Sequence, residues 1–306
     1  MKVAVLGPGG VGGLVAAALD HAGSVDAIVV AREETAAIIS AQGLRVNSVS
    51  LGEFIARPRA VERLEEPVDA LVVATKASGL EPALERIVVQ PELVLPLLNG
   101  LDHLQVLRER FGAGSVLAGS IRVEADRPAP GVVVHTSPFL LVQMASSNPR
   151  AARGMQELSQ ALCDAGIPAR VLGSEPQVMW SKLVRLNALA CTTSAHDKLL
   201  GEIRSTPALR AELEGAITEA CAVGRAEGAP DLDPATAIAE LDRAHATLGS
   251  SMQRDIAAGR VPELDAIPGS VLRAGARHDL RCPTIERLVA MIAERAQVPL
   301  PVVSRS

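Results

Sequence analysis

Apolar residues come in short unbroken runs through the first half of the chain, at 3–6, 27–31, 70–74 and 93–98, with a further run at 116–119. Runs of this length, rich in Val, Ile and Leu and bounded by glycine or polar residues, read as strands buried on both faces. Helix-compatible stretches such as 14–19 fall between them. Strands alternating with helices predict a parallel sheet covered on both sides. The runs at 131–135 and 139–143 stand too close for a helical crossover, so an antiparallel hairpin is expected there. A last strand is expected at 169–172. From about Glu175 the β pattern disappears, and 178–189, 206–227, 234–252, 269–277 and 283–295 read as helices with Gly and Pro at the breaks. The pattern predicts an α/β domain over residues 1–173 and an all-helical domain over 174–306. The tail 304–306 is expected to fray.

The first strand ends in Gly7 and runs into Pro8-Gly9-Gly10-Val11-Gly12-Gly13. Gly7, Gly9 and Gly12 occupy the three positions of G-x-G-x-x-G inside a β-α-β unit. In that context the first glycine permits a tight turn, the second lets backbone approach a pyrophosphate, and the third lets helix and strand pack closely. The helix start adds unpaired N–H groups and a positive dipole end. The loop Gly7, Pro8, Gly9, Gly10, Val11 and Gly12 is therefore expected to bind a dinucleotide, in a Rossmann-type domain. Which dinucleotide is decided at the end of the second strand, where a carboxylate would hold a ribose 2′-hydroxyl and an arginine a 2′-phosphate. The residues there are Ala31-Arg32, which points to NADP(H). Glu33 follows directly and leaves a carboxylate contact open, and Arg32 could otherwise be a solvated loop cation.

Ligands of such sheets bind beyond the carboxyl ends of the strands. Lys76 and Asn99 fall at two of those ends, although polar residues there are often simple turn formers. His103 and His135 are isolated and read as surface or core histidines.

Composition narrows the function. The chain has 306 residues and a formal net charge of −5, with three Phe, one Trp and no Tyr. Without aromatic platforms or basic excess, nucleic acid is not an expected partner. The four cysteines show no CxxC spacing and the six histidines no metal-ligand spacing, so neither a disulfide scaffold nor a metal site is expected. Mean hydropathy is +0.24, yet no apolar run reaches the ~18 residues of a membrane span. With a strand starting at the N-terminus and no signal-peptide regions, a cytoplasmic protein is expected.

Several further motifs complete a pattern: Leu98-Asn99-Gly100, Trp180-Ser181-Lys182, Gly201-Glu202-Ile203, Ser250-Ser251-Met252-Gln253-Arg254-Asp255 and Glu263-Leu264-Asp265-Ala266-Ile267. With the glycine loop, Arg32 and Lys76, and in this order over nearly the whole chain, they resemble the ketopantoate reductase (2-dehydropantoate 2-reductase) family. The resemblance implies NADPH-dependent reduction of a 2-oxo acid, with Lys182 as general acid. It implies cofactor contacts at Arg32, Lys76, Asn99, Ala125 and Glu263 and a substrate contact at Ser251, and it is compatible with a homodimer; Ser250, beside Ser251, is a further short polar group suited to hold the substrate. The chemistry agrees, because charge developing on a ketone oxygen needs a positioned cation and proton donor, and a nearby Glu263 would offset desolvation of Lys182.

The sequence departs from the family on its substrate side. Amides are expected one and two turns after the lysine, where this chain has Leu186 and Ala190, and again before Gly201, where it has Leu200. Asn187 is the remaining candidate amide, but a five-residue offset turns it about 140° from Lys182. A 2-hydroxy-acid dehydrogenase for a more apolar substrate is therefore a second reading. A non-catalytic NADP(H)-binding sensor is a third.

Overall fold

The computed structural model describes residues 1–303; the tail 304–306, expected to fray, lies outside the described residues. The chain forms two compact units. The first comprises Met1–Leu98 and His103–Val178, and the second Asn99–Asp102 together with the chain from Met179 on.

A five-stranded parallel sheet organises the first unit, in the spatial order Arg59–Val61, Asp26–Val30, Lys2–Leu6, Ala70–Val73, Leu93–Pro96. Its strands alternate between two cores. Val3, Val5, Val29, Val72 and Leu95 enter one, together with the helix Gly10–Ala22, while Ala4, Leu6, Ile28, Leu71 and Val73 enter the other. Burial on both faces is why these strands read as continuous apolar runs rather than alternating ones. The run at 116–119 belongs to this sheet only at its start. Val116 bridges Val94 in parallel fashion, but pairing stops where Pro96 has no N–H to give. Gly119 then passes over that end, since a Cβ on it would stand 2.3 Å from the Pro96 carbonyl oxygen.

The expected hairpin between 131–135 and 139–143 does not form. Val132–His135 instead pairs antiparallel with Ala125–Ala129 and parallel with Leu44–Ser48, whereas Leu141–Ala145 joins Ala118–Arg122 and Ala169–Val171 in a separate sheet. The connecting residues force the divergence. Pro138 cannot donate to a ladder, and the Ser137 hydroxyl accepts the Glu124 N–H at 2.9 Å and donates to the Phe139 carbonyl at 2.7 Å. The actual hairpin turns at Pro130-Gly131, with Gly131 at φ +75°.

The second unit is helical. Its core gathers Trp180, Val184, Ala188 and Cys191 of the 22-residue helix Glu175–His196 against Ile217, Ala220, Ile267 and Ile285. Cys163, Cys191, Cys221 and Cys282 are all free thiols. Burial pushes Cys221 up to about 11 and Cys282 up to about 12, and raises Cys191 further still, so these three sit as protonated core residues.

Residues 234–252, expected as one helix, form two: Pro234–Arg243 and Ser251–Ala257. The Arg204 guanidinium ends the first by taking the carbonyls of Leu241, Asp242 and Ala244 at 2.8, 2.6 and 2.9 Å. Ser250 starts the second as its N-cap, accepting the Gln253 N–H at 3.0 Å.

Candidate active site

In the first unit the glycine loop leaves strand Lys2–Leu6 and enters helix Gly10–Ala22. Each glycine meets a different demand. Gly7 sits at φ +88°, where L side chains are strained. A Cβ on Gly12 would stand 2.2 Å from the Gly7 carbonyl oxygen, so Gly12 is needed for packing. A Cβ on Gly9 would meet nothing within 4 Å, so its freedom is not needed by the fold itself. That open side lies at the N-cap of a helix with no side-chain cap, the place where a phosphate accepts N–H groups. The Thr75 hydroxyl beside Gly7 is buried without a hydrogen-bond partner. These features fit a dinucleotide pyrophosphate.

The other expected cofactor contacts fall on the same unit, except Asn99 and Glu263. Pro8 lies in the loop and Val11 in the first turn of helix Gly10–Ala22, and the Ala125 carbonyl closes against that turn, where a Cβ on Gly10 would come within 2.3 Å. Arg32 is exposed just after strand Asp26–Val30 and precedes helix Glu33–Gln42; among the described residues no hydrogen bond or ion pair engages its guanidinium. Lys76 is exposed after strand Ala70–Val73.

In the second unit, three residues distant in sequence meet. The Lys182 ammonium donates to Asn99 Oδ1 at 2.9 Å, and Asn99 Nδ2 donates to Glu263 Oε2 at 2.9 Å. Lysine only donates and a carboxylate only accepts, so this environment fixes which way the Asn99 amide faces. The expected proximity of Lys182 and Glu263 is thus bridged by Asn99. Gly100 makes the juxtaposition possible: it sits at φ +82°, and a Cβ on it would fall 1.9 Å from the Ala266 carbonyl oxygen. The Glu263 side continues as a widened helical turn, Asp265–Gly269. Pro268 has no N–H to offer Leu264, so the Gly269 N–H bonds the Leu264 carbonyl at 3.1 Å, five residues back.

The expected substrate residues divide. Ser251 is exposed on the first turn of its helix. Ser250 is 3% exposed, and its hydroxyl is occupied by the Gln253 N–H and by Thr193 Oγ1 at 2.9 Å. Asn187 is not brought to the lysine triplet. It is fully buried and its Oδ1 faces the Cys191 thiol at 3.5 Å, as the 140° offset from Lys182 requires. His103 and His135 are both core residues. Gly100 stands in the Leu98-Asn99-Gly100 motif, but its role in the close approach to Ala266 was not read from the sequence, although an Asn-Gly pair after a strand is a turn signal. Arg273 was missed too: Asp265 is eight residues away, but its other carboxylate partner, Asp102, lies 171 residues away and leaves no local pattern.

A glycine-loop α/β unit followed by a helical unit bearing a hydrogen-bonded lysine defines a nicotinamide-dinucleotide-dependent oxidoreductase. Comparison with known proteins makes the assignment specific. The family model described as "Ketopantoate reductase PanE/ApbA" matches residues 3–145, and that of its C-terminal part matches 176–296. The chain belongs to the ketopantoate reductase family. It is 28% identical over 299 residues to the "uncharacterized oxidoreductase YkpB" of Bacillus subtilis (strain 168), covering 95% of this chain and 97% of the relative. It is also 28% identical over 297 residues to a 2-dehydropantoate 2-reductase of Halobacterium salinarum, covering 95% and 98%. Among solved structures, D-mandelate dehydrogenase with NADH and anilino(oxo)acetate shares the fold, with a TM-score of 0.87, 21% identity and coverage of 97% and 99%. No helix among the described residues is long and apolar enough to cross a membrane.

Proposed function

We propose that this chain uses NADPH to reduce the C2 ketone of a 2-oxo acid to a 2-hydroxy acid, with 2-dehydropantoate as the substrate and Lys182 as general acid. The Lys182–Asn99–Glu263 arrangement carries this reading. The bound nicotinamide dinucleotide supplies the hydride. As negative charge grows on the ketone oxygen, the Lys182 ammonium stabilises it and then gives up a proton to form the hydroxyl. Asn99 orients that ammonium through its Oδ1, and Glu263 holds the Asn99 amide in the accepting orientation. Ser251 contacts substrate, and Ser250 supports it by capping the same helix. Arg32 binds the 2′-phosphate, with Lys76, Ala125, Asn99 and Glu263 as further cofactor contacts.

A second reading, a 2-hydroxy-acid dehydrogenase for a more apolar side chain, is favoured by one observation. Leu186, Ala190 and Leu200 stand where amides are expected and cannot hydrogen-bond a hydroxylated substrate; Ala190 and Leu200 are fully buried in the core of the second unit, and Leu186 packs partly buried against it. For 2-dehydropantoate stands the name of the Halobacterium relative. Steady-state NADPH oxidation with 2-dehydropantoate, branched and aryl 2-oxo acids tests both. Turnover fastest with 2-dehydropantoate supports the first reading. Turnover no faster than with the poorest panel member overturns that substrate in favour of the apolar one, and no oxidation with any 2-oxo acid overturns both.

A further inference from the structure

The two chain segments that deliver Asn99 and Glu263 are joined a second time, away from the triplet, by one side chain. The Arg273 Nη2 atom donates to Asp102 Oδ2 at 2.6 Å, and Nη1 to Asp265 Oδ1 at 2.7 Å. The Nη2 atom also reaches the Asp265 carbonyl at 2.8 Å, and Nη1 the Val302 carbonyl at 3.3 Å. Asp102 lies three residues after Asn99, and Asp265 two residues after Glu263. The bare Cα of Gly269 leaves room for this fork, since a Cβ there would stand 3.2 Å from both Arg273 Nη1 and Asp265 Oδ1.

We propose that Arg273 is a positioning residue for the reaction: its guanidinium clamps the Asn99–Asp102 segment to the Glu263–Asp265 segment and so holds the amide that orients Lys182. The inference rests on the proposed role of the triplet. A planar fork suits the task, because it engages two carboxylates in fixed directions where a lysine would make a point contact. Stability is not the main output of these pairs. The carboxylates are 49% and 71% exposed, so the charge pairs themselves contribute little to folding, while the 22%-exposed Arg273 side chain adds some stability through its packing and its two backbone carbonyls. Position is different, since a displacement of about 1 Å at a reacting group can cost ~100-fold in rate.

The test is a double-mutant cycle of Arg273→Met with Asn99→Ala, reading kcat, KM, the NADPH dissociation constant and the unfolding temperature. Arg273→Met is expected to lower kcat roughly 10-fold or more, with NADPH affinity within about 3-fold and the unfolding temperature lowered by only a few degrees. Arg273→Lys should recover part of the loss. In the Asn99→Ala background the same substitution should cost less than about 3-fold further, because the residue it acts through is gone. Wild-type kcat in Arg273→Met alongside a crippled Asn99→Ala overturns the clamp and leaves the triplet standing. Losses that multiply in full in the double variant also overturn it. Wild-type kcat in Asn99→Ala overturns the triplet, and the clamp with it. Should Arg273→Met fail to fold, Asp102→Asn removes one arm only, and the same cycle applies with a smaller expected loss.

Discussion

The glycine loop and the lysine triplet solve opposite problems. The loop is built from backbone: it works by lacking side chains, and its parts lie within six residues of one another. The triplet is built from side chains brought together across 83 and 164 residues of chain, and is held by close backbone contact at Gly100. A backbone site tolerates change wherever glycine is not required for packing, so it can lose its ligand and keep its fold. A side-chain site of this kind depends on every segment that delivers a member. The first should fail by losing affinity, the second by losing rate.

Gly9→Ala sharpens that contrast most. Its Cβ has open space in the protein, so the unfolding temperature should stay near wild type while NADPH and NADH both bind roughly 10–100-fold more weakly, by titration calorimetry. Gly12→Ala is the counterpart, because its Cβ meets the Gly7 carbonyl; it should lower the unfolding temperature as well. If both variants bind normally, the loop does not hold the cofactor.

Arg32→Ala should weaken NADPH by about 10-fold or more through loss of a charged hydrogen bond, and NADH by less than about 3-fold. Equal effects on the two cofactors would remove Arg32 from the 2′-phosphate and turn attention to Glu33.

The smallest effect lies in the core of the first unit. The His135 ring nitrogens face the hydroxyls of Ser48 at 2.8 Å and Ser137 at 3.2 Å. Ser137 already donates to the Phe139 carbonyl, so its oxygen accepts from Nε2, and in the neutral ring Nδ1 is then the nitrogen that accepts from Ser48. Burial accordingly holds the imidazole below its ordinary value. The folded protein then binds fewer protons than the unfolded chain, so this stability is complete above about pH 6.5 and is lost as pH falls through the folded value. Urea denaturation should show a shallower loss below pH 6.5 in His135→Gln than in wild type, although the variant is less stable at neutral pH. Parallel pH curves would contradict it.

The same contrast explains what was legible in the sequence. The parallel strands and the glycine loop could be read because burial on both faces and turn geometry write themselves into consecutive residues. Lys182, Asn99 and Glu263 were recognisable through family motifs, but not their arrangement, since no local pattern reports that Asn99 stands between the other two. The hairpin at 131–143 was misread because proximity of two strands in sequence suggested pairing, while Pro138 and the Ser137 hydrogen bonds send them to different sheets. The break in 234–252 was missed because it depends on Arg204, about forty residues earlier in the chain.

We propose that proton donation by Lys182 is separable from cofactor binding by the glycine loop. Lys182→Ala tests it most directly, with kcat and the NADPH dissociation constant measured on one preparation. The substitution should lower kcat by about 1,000-fold or more, with NADPH affinity within about 3-fold of wild type. Turnover close to wild type would contradict it.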